Sequence, residues 1–363
     1  MYFKRLRYIS YRNLEQVELE PVPGFNIFWG RNGQGKTNLI EGIYLLGHLK
    51  SFRSAVNNTL ITDQKTQAAI ESELTSGRVV HQLKLELNAR GKEIRLDGKR
   101  PQRIAEVAEK LRQVLFSPEE VTSVKGAPGL RRNLLDRAVF QLQPHYLERM
   151  QSYYRLLKQR NHLLRSTKDL NQIDIWSEKL IEEGARIRLE RQSFIKKLDP
   201  YFKQCYAKLT ASQEKPQMRL RQNSADDFEE HCLALSEELA RCKEQEIFRH
   251  TTLAGPHRDD PQFFVNEQEL RSHGSQGQQR TFILAFKIAL MKLLREQTGR
   301  TAVLMLDDIT SELDGKRRKA LFEMLNEGAG QVFVTTTDPE LVADKNTDNC
   351  RFFEVRQGQV FTS

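Results

Sequence analysis

The chain has little of what would staple a fold or anchor it in a bilayer. Only 4 of its 363 residues are cysteine. Cys205, Cys232, Cys242 and Cys350 stand far apart with no CxxC pair, which argues against a zinc site and leaves reduced, structural thiols. No apolar run reaches the roughly 18 residues of a membrane-spanning helix. The segment Met1–Asn13 mixes charge into every turn and lacks the apolar core of a signal peptide, so a cytoplasmic protein is expected. Acid is in deficit: 48 Asp and Glu face 57 Lys and Arg, a formal charge of +9. That balance favours a polyanionic partner, because each cation that neutralises a phosphate releases a condensed counterion. With 39% hydrophobic and 29% charged residues the chain is not a disordered one, and its length suits about two domains. Internal repeats and low-complexity tracts are absent.

Periodicity divides the chain into three stretches. The first hundred residues read as strands: 2–11 and 14–20 alternate apolar with polar, 25–29 is an apolar run, and further strands fall at 68–74, 79–87 and 93–96, the last closed by Asp97-Gly98. A single helix, 36–48, interrupts them with a broad apolar face of Leu39, Ile40, Ile43, Tyr44 and Leu46. Helical spacing then dominates 130–140, 146–165 and 172–209, with Pro200 expected to kink or restart the last. After residue 250 strand and helix alternate again: a hairpin at 262–270, helices at 279–294 and 314–325, strands at 303–306 and 332–334. The order predicts an α/β domain, 1–104 with 250–363, that carries a mainly helical insertion lobe, 105–249.

The octapeptide Gly30-Arg31-Asn32-Gly33-Gln34-Gly35-Lys36-Thr37 fits G-x-x-x-x-G-K-[ST] and lies between a predicted strand and a predicted helix. Glycines let backbone N–H groups turn toward phosphates, and the helix N-terminus adds partial positive charge. Lys36 is expected on the β and γ phosphates of ATP and Thr37 on Mg²⁺. A second acid for the metal follows the apolar run Val303-Leu304-Met305-Leu306. Asp307 is assigned to the Mg²⁺ shell, and Asp308 faces the water that attacks the γ-phosphate.

A kinase, a transporter motor and a DNA-repair ATPase share those two features. Ser275-Gln276-Gly277-Gln278-Gln279-Arg280, about 30 residues before the acids, resembles the ABC signature S-x-G-x-Q with Gln278 at its second glycine. In such ATPases the serine hydroxyl, the glycine N–H and the helix dipole bind ATP held by the other subunit, so Ser275, Gly277 and Gln278 join the nucleotide contacts. Ser311-Glu312-Leu313-Asp314 resembles the D-loop that crosses the same interface, through Asp314. Transporter motors place the signature roughly a hundred residues after the P-loop, and here about 240 intervene.

Further landmarks are Tyr11-Arg12-Asn13-Leu14, Gly47–Ser54, Phe116-Ser117-Pro118-Glu119, Arg131–Asp136, Leu157-Lys158-Gln159-Arg160-Asn161 and Gly255–Asp260. With the ATPase motifs, in this order, the chain resembles the bacterial RecF family along essentially its whole length. The resemblance implies an ABC-type head related to the SMC ATPases and an ATP-driven homodimer. It also implies double-stranded DNA held near single-strand gaps, cooperation with RecR and RecO in loading RecA, and roles in DNA damage repair, replication and the SOS response. A weak, DNA-stimulated ATPase is expected, with ATP and Mg²⁺ as cofactors and no membrane partner. Asp308 stands where general ABC ATPases have glutamate, and Thr335-Thr336-Thr337-Asp338 where they have a switch histidine. Both resemble RecF and suggest slow turnover, and they leave open a nucleotide-gated scaffold with negligible hydrolysis. Gln113 lies about one position from where the Q-loop glutamine is expected.

Between Arg131 and Arg165 stand eight Lys or Arg against Asp136 and Glu148. With no helix-turn-helix or zinc finger in the chain, phosphate contact rather than base readout is expected. Arg155, Lys158 and Arg160 are the candidate DNA contacts, and a merely solvated helix face is the alternative.

Overall fold

The computed structural model describes all residues except 54–55, 167–169, 213, 221–225, 310–312, 329, 343–348 and 363. The chain forms two compact units, Met1–Thr122 with Gln204–Gln213 and Gln276–Ser363, and Ser123–Lys203 with Glu214–Ser275.

The first unit begins with β1 (Tyr2–Tyr11), β2 (Leu14–Leu19), β3 (Phe25–Trp29), α1 (Lys36–His48), β4 (Gln67–Ser76), β5 (Val79–Asn88), β6 (Gly91–Leu96), α2 (Ile104–Lys110), β7 (Gln113–Phe116) and α3 (Pro118–Lys125). The second contains α4 (Pro128–Leu142), α5 (Tyr146–Ser166), most of α6 (Leu170–Thr210), β8 (Pro216–Leu220), α7 (Phe228–Arg249), β9 (Pro261–Val265) and β10 (Gln268–Glu269). The first resumes with α8 (Gln276–Thr298), β11 (Val303–Leu306), α9 (Gly315–Asn326), β12 (Val332–Thr336), β13 (Cys350–Arg356) and β14 (Gln359–Thr362).

Two sheets build the first unit. One is antiparallel, ordered β2-β1-β4-β5-β6; the other, ordered β14-β13-β3-β12-β11-β7, is parallel from β13 to β7. Alternation in β4 and β5 buries Ile70, Leu74, Leu83, Leu85 and Leu87 on one face of the first sheet. The four parallel strands β3, β12, β11 and β7 are almost wholly buried, which is why β3, β12 and β11 read as apolar runs rather than alternating ones. Helix α1 packs against strands of both sheets, and its buried face joins Tyr8, Ile70, Met305 and Phe333 in one core. A Cβ on Gly42 would lie 2.4 Å from the Tyr8 ring, so only glycine lets α1 come this close to β1.

The expected domain limits shift. Strand β7 lies inside the segment assigned to the insertion, yet it pairs with β11 from Val303↔Gln113 to Leu306↔Phe116, so the first unit runs on to Thr122. At the far side the second unit keeps β9 and β10 and ends at Ser275 rather than 249. The end of α6, from Gln204, also belongs to the first unit. Pro200 does not restart α6, which is continuous over 41 residues. Pro200 is exposed, so water can serve the carbonyl that loses its N–H partner. In the second unit Arg188 and Arg191, both fully buried, are held by Asp259, Asp136 and Glu238, which packs α4, α6 and α7 around the Gly255–Asp260 loop.

Candidate nucleotide site

Parallel strands bring their C-terminal ends to one edge of a sheet. Here that edge gathers the P-loop after β3, Asp307-Asp308 after β11, Thr335-Thr336 closing β12, and Ser117 after β7. The P-loop has the shape of a phosphate cradle. Gly30, Gly33 and Gly35 have φ of 147°, 78° and 114°, values costly for other residues. A Cβ on Gly30 would meet the Val355 carbonyl at 2.4 Å, and one on Gly35 the Asn13 amide at 2.8 Å. The loop is braced from outside. Asn13 donates to the Gln34 carbonyl (3.1 Å), as does the Gly358 N–H (2.9 Å), and the Gln357 N–H donates to Gln34 Oε1 (2.6 Å). Below it, buried Glu41 accepts from Tyr11, Arg12 and Ser51, which ties two of the sequence landmarks to α1.

Lys36 is folded onto the loop, donating to the carbonyls of Gly30 (2.6 Å) and Arg31 (2.9 Å). Burial pulls its ammonium below the ordinary lysine value, against the opposing charges of Asp308 and Asp307. Thr37 Oγ1 donates to Asp307 Oδ1 at 3.0 Å, and Thr335 Oγ1 donates to the same oxygen at 2.7 Å while accepting from the Asp308 N–H at 2.8 Å. Burial raises Asp307 to about 6; the hydrogen bonds from Thr335 and Thr37 oppose this, and the charges of Glu119 and Asp308 add to it. A dication among these hard oxygen donors would favour the ionised carboxylate. The cradle, the lysine and the Thr37–Asp307 pair therefore fit a nucleotide triphosphate with Mg²⁺. Arg31, Asn32 and Gly33 are exposed at the loop's tip.

Thr335 is a residue that local spacing does not single out. Only the pairing of β11 with β12, Leu306↔Val334, brings it beside Asp307. Gln113 is not at this edge. It begins β7 at the opposite end, buried, with Nε2 donating to the Ile43 carbonyl (2.6 Å) and Oε1 against His48 (3.1 Å), away from the phosphate edge. Ser275 is exposed immediately before α8, with Gly277 and Gln278 in the first turn of that helix. Asp314 caps α9 by accepting from the Arg317 N–H (2.9 Å). Ser311 and Glu312 of the expected D-loop, and Ser54 of an earlier landmark, lie outside the described residues.

The basic run separates into buried and exposed members. Arg131 is buried on Asp260, Arg149 pairs with Glu190, and Arg132 and Arg137 bond backbone carbonyls. Arg160, expected on DNA, is 3% exposed and donates to Glu246 (2.7 Å), Thr252 (2.8 Å) and Ser177 (2.8 Å); that expectation is corrected. Its place on the buried face of α5, one turn from Leu157 and Leu164, is the reason. Arg155 and Lys158 are exposed, and among the described residues neither has an acidic partner. With Gln151, Tyr154, Gln159, His162 and Arg165 they make an exposed face of α5 that contains no acid. The antiparallel sheet of the first unit is a poorer phosphate surface. Across the strands its Arg5 pairs with Glu18, Arg7 and Lys84 with Glu71, and Arg95 with Glu86.

Comparison with known proteins agrees with this geometry. The profile of the RecF/RecN/SMC N terminal domain matches residues 2–360. A solved Smc head bound to the C-winged helix domain of ScpA shares the fold, with TM-score 0.59 at 14% identity over 100% of this chain and 97% of that one. Fold and site thus define an ABC-type P-loop ATPase head with a helical insert. The DNA replication and repair protein RecF of Geotalea uraniireducens is 39% identical over 363 residues, covering 99% of this chain and 100% of that protein, and that of Syntrophotalea carbinolica 40% identical, covering 99% of each. A solved structure of the recombination mediator protein RecF-ATP in the RecFOR pathway has TM-score 0.90 at 28% identity, over 100% of this chain and 99% of that one. The chain belongs to the RecF family of DNA replication and repair proteins. Among the described residues no helix is long and apolar enough to cross a membrane.

Proposed function

We propose that this chain is a cytoplasmic, ATP-dependent recombination mediator: two copies close around ATP, hold duplex DNA near single-strand gaps, and act with RecR and RecO to load RecA. The observation that carries the reading is the Thr37–Asp307 hydrogen bond at the rim of the P-loop, in a chain that aligns end to end with RecF bound to ATP. When bound, Mg²⁺ would neutralise charge on the β and γ phosphates. Lys36 leaves the Gly30 and Arg31 carbonyls for the phosphates, and the loop N–H groups hold them in place. Asp308 accepts a hydrogen bond from the attacking water and orients it. Thr335 holds Asp307 and the Asp308 backbone in one geometry. Ser275 and the Gly277 N–H of one copy complete the phosphate site of the other, with the Asp314 segment at the same junction. Arg155 and Lys158 contact DNA phosphates.

Hydrolysis in this reading is weak and stimulated by DNA. The short Asp308 carboxylate and a threonine in place of a switch histidine also favour a second reading, a nucleotide-gated scaffold with negligible turnover. Phosphate release measured with and without duplex DNA separates the two. The dimer is tested by complementation. Ser275→Arg is expected to bind ATP yet neither dimerise nor hydrolyse it. Mixed with Lys36→Ala, it regains one composite site and part of the activity. A Ser275→Arg protein that dimerises on ATP and hydrolyses it at the wild-type rate rejects the clamp.

A further inference from the structure

The exposed face of α5 carries one group that phosphate contact leaves unused. Tyr154 is 48% exposed on that acid-free face, beside Arg155 and Lys158. The other two tyrosines of the helix, Tyr146 and Tyr153, are fully buried, with hydroxyls bonded to Asp136 (2.6 Å) and His257 (2.7 Å). Successive helical residues turn by about 100°, so Tyr153 points inward with Leu157 and Leu164 while Tyr154 emerges at the margin of the cationic face, one turn before Lys158. The ring is also held. It meets the Tyr153 ring edge-on, centroids 5.8 Å apart and planes at 74°, an arrangement the aromatic quadrupole favours. Tyr153 sits tightly in turn: a Cβ on Gly255 would lie 2.4 Å from its hydroxyl, and one on Gly184 3.3 Å from its ring. The exposed ring therefore rests on a fixed support.

The part of that ring left in water adds nothing to the hydrophobic stabilisation of the fold, and its neighbours decide what can cover it. Tyr154 is the one large exposed hydrophobic of α5, which suits an apolar protein partner poorly. Arg155, Lys158 and Arg165 share the face, and Glu148, the one acid of the helix, is half-buried near its start. Charge complementarity thus selects a polyanion. Bases inside a duplex are stacked on their neighbours and show only their edges in the grooves. An unpaired base instead offers its π-face, and an aromatic beside a cationic track is the arrangement that holds single strands without regard to sequence. We infer that Tyr154 is a base-stacking residue, taking the face of an unpaired nucleotide whose flanking phosphates lie on Arg155 and Lys158. The inference rests on the DNA reading of α5 above and adds the place on the DNA that this face receives, the point where duplex gives way to single strand.

The test compares two fluorescein-labelled probes by anisotropy, a blunt duplex and the same duplex with a single-stranded gap, on the full chain with a non-hydrolysable ATP analogue. Removing one base–aromatic stack weakens binding about 5- to 100-fold. Tyr154→Ala is expected to raise the Kd for the gapped probe by that factor and to leave the blunt duplex and its salt dependence at wild-type values. Tyr154→Phe keeps the ring and should bind both probes as wild type does, whereas Tyr154→Leu, apolar without a ring, should behave as alanine does. With 2-aminopurine as the first unpaired base, fluorescence quenching on binding is expected for wild type and Tyr154→Phe and not for Tyr154→Ala. Wild-type affinity of Tyr154→Ala for the gapped probe overturns the inference, as does an equal loss on both probes or an equal loss in Tyr154→Phe. If Tyr154→Ala melts well below wild type, Tyr154→Leu decides by the same criteria. Arg155→Ala with Lys158→Ala keeps the two readings apart. Weaker binding of both probes in that double variant, with no loss in Tyr154→Ala, removes only the stacking role. Unchanged binding of both probes in the double variant removes the DNA reading of α5 itself, and the inference with it.

Discussion

Arg160 is the residue whose expected role the structure changes most, and the change can be measured. Its guanidinium reaches Glu246, Thr252 and Ser177 at 2.7–2.8 Å, and the side chains of Arg160 and Glu246 are 4% and 1% exposed. Glu246 also accepts from the Leu253 N–H at 2.7 Å, so it cannot turn out to water without breaking the α7–β9 connection. Arg160→Met keeps most of the volume and removes the charge, leaving a buried carboxylate without its cation. Breaking a buried pair from one side costs about 3–5 kcal/mol. The expected result is a large drop in the urea midpoint of the transition that reports the second unit. Adding Glu246→Gln removes the stranded charge while keeping an acceptor for Leu253, and most of the loss is expected to return. At temperatures where Arg160→Met is folded, its duplex affinity should show the wild-type dependence of log K on log salt. Arg155→Ala with Lys158→Ala should instead leave the urea midpoint alone and flatten that slope by up to about 0.9 for each phosphate that is no longer neutralised. An Arg160→Met protein with wild-type stability and a slope flatter by about one unit would refute the burial argument and return Arg160 to the DNA.

Two further outcomes are expected. Asp308 has φ of +50°, a conformation asparagine tolerates as well as aspartate, so Asp308→Asn should bind ATP normally, hydrolyse it at least about tenfold more slowly given the size of general-base effects, and sediment as a longer-lived ATP dimer; wild-type turnover would mean another group orients the water. His257 accepts from Tyr153 (2.7 Å) and is pushed down to about 4, chiefly by burial. The unfolded chain protonates it below about 6.5, whereas the folded chain resists until about 4, so this group's stability is complete above that window and falls as the pH drops through it, by about 3 kcal/mol in all. His257→Gln should lose less stability than wild type between those values in urea melts, and identical pH slopes would show that His257 is not held neutral.

The local motifs were legible because their chemistry is contiguous. A phosphate cradle needs glycines and a lysine within eight residues, a buried parallel strand is a short apolar run, and both are read without knowing any neighbour. So the P-loop and the β11–Asp307 junction fall where spacing puts them, whereas the helix expected from 279 already starts at Gln276, directly after Ser275. What crosses the chain could not be read this way. Four residues of β7 look like part of a helical region until β11 pairs with them. Thr335 is an ordinary threonine until the end of β12 sets it against Asp307. Arg155, Lys158 and Arg160 are alike as cations, and one helical face decides which meets water and which meets Glu246. Motif identity is set by residues near in sequence, whereas burial and partnership are set by contacts between distant segments, and these exist only once the sheets and helices have packed.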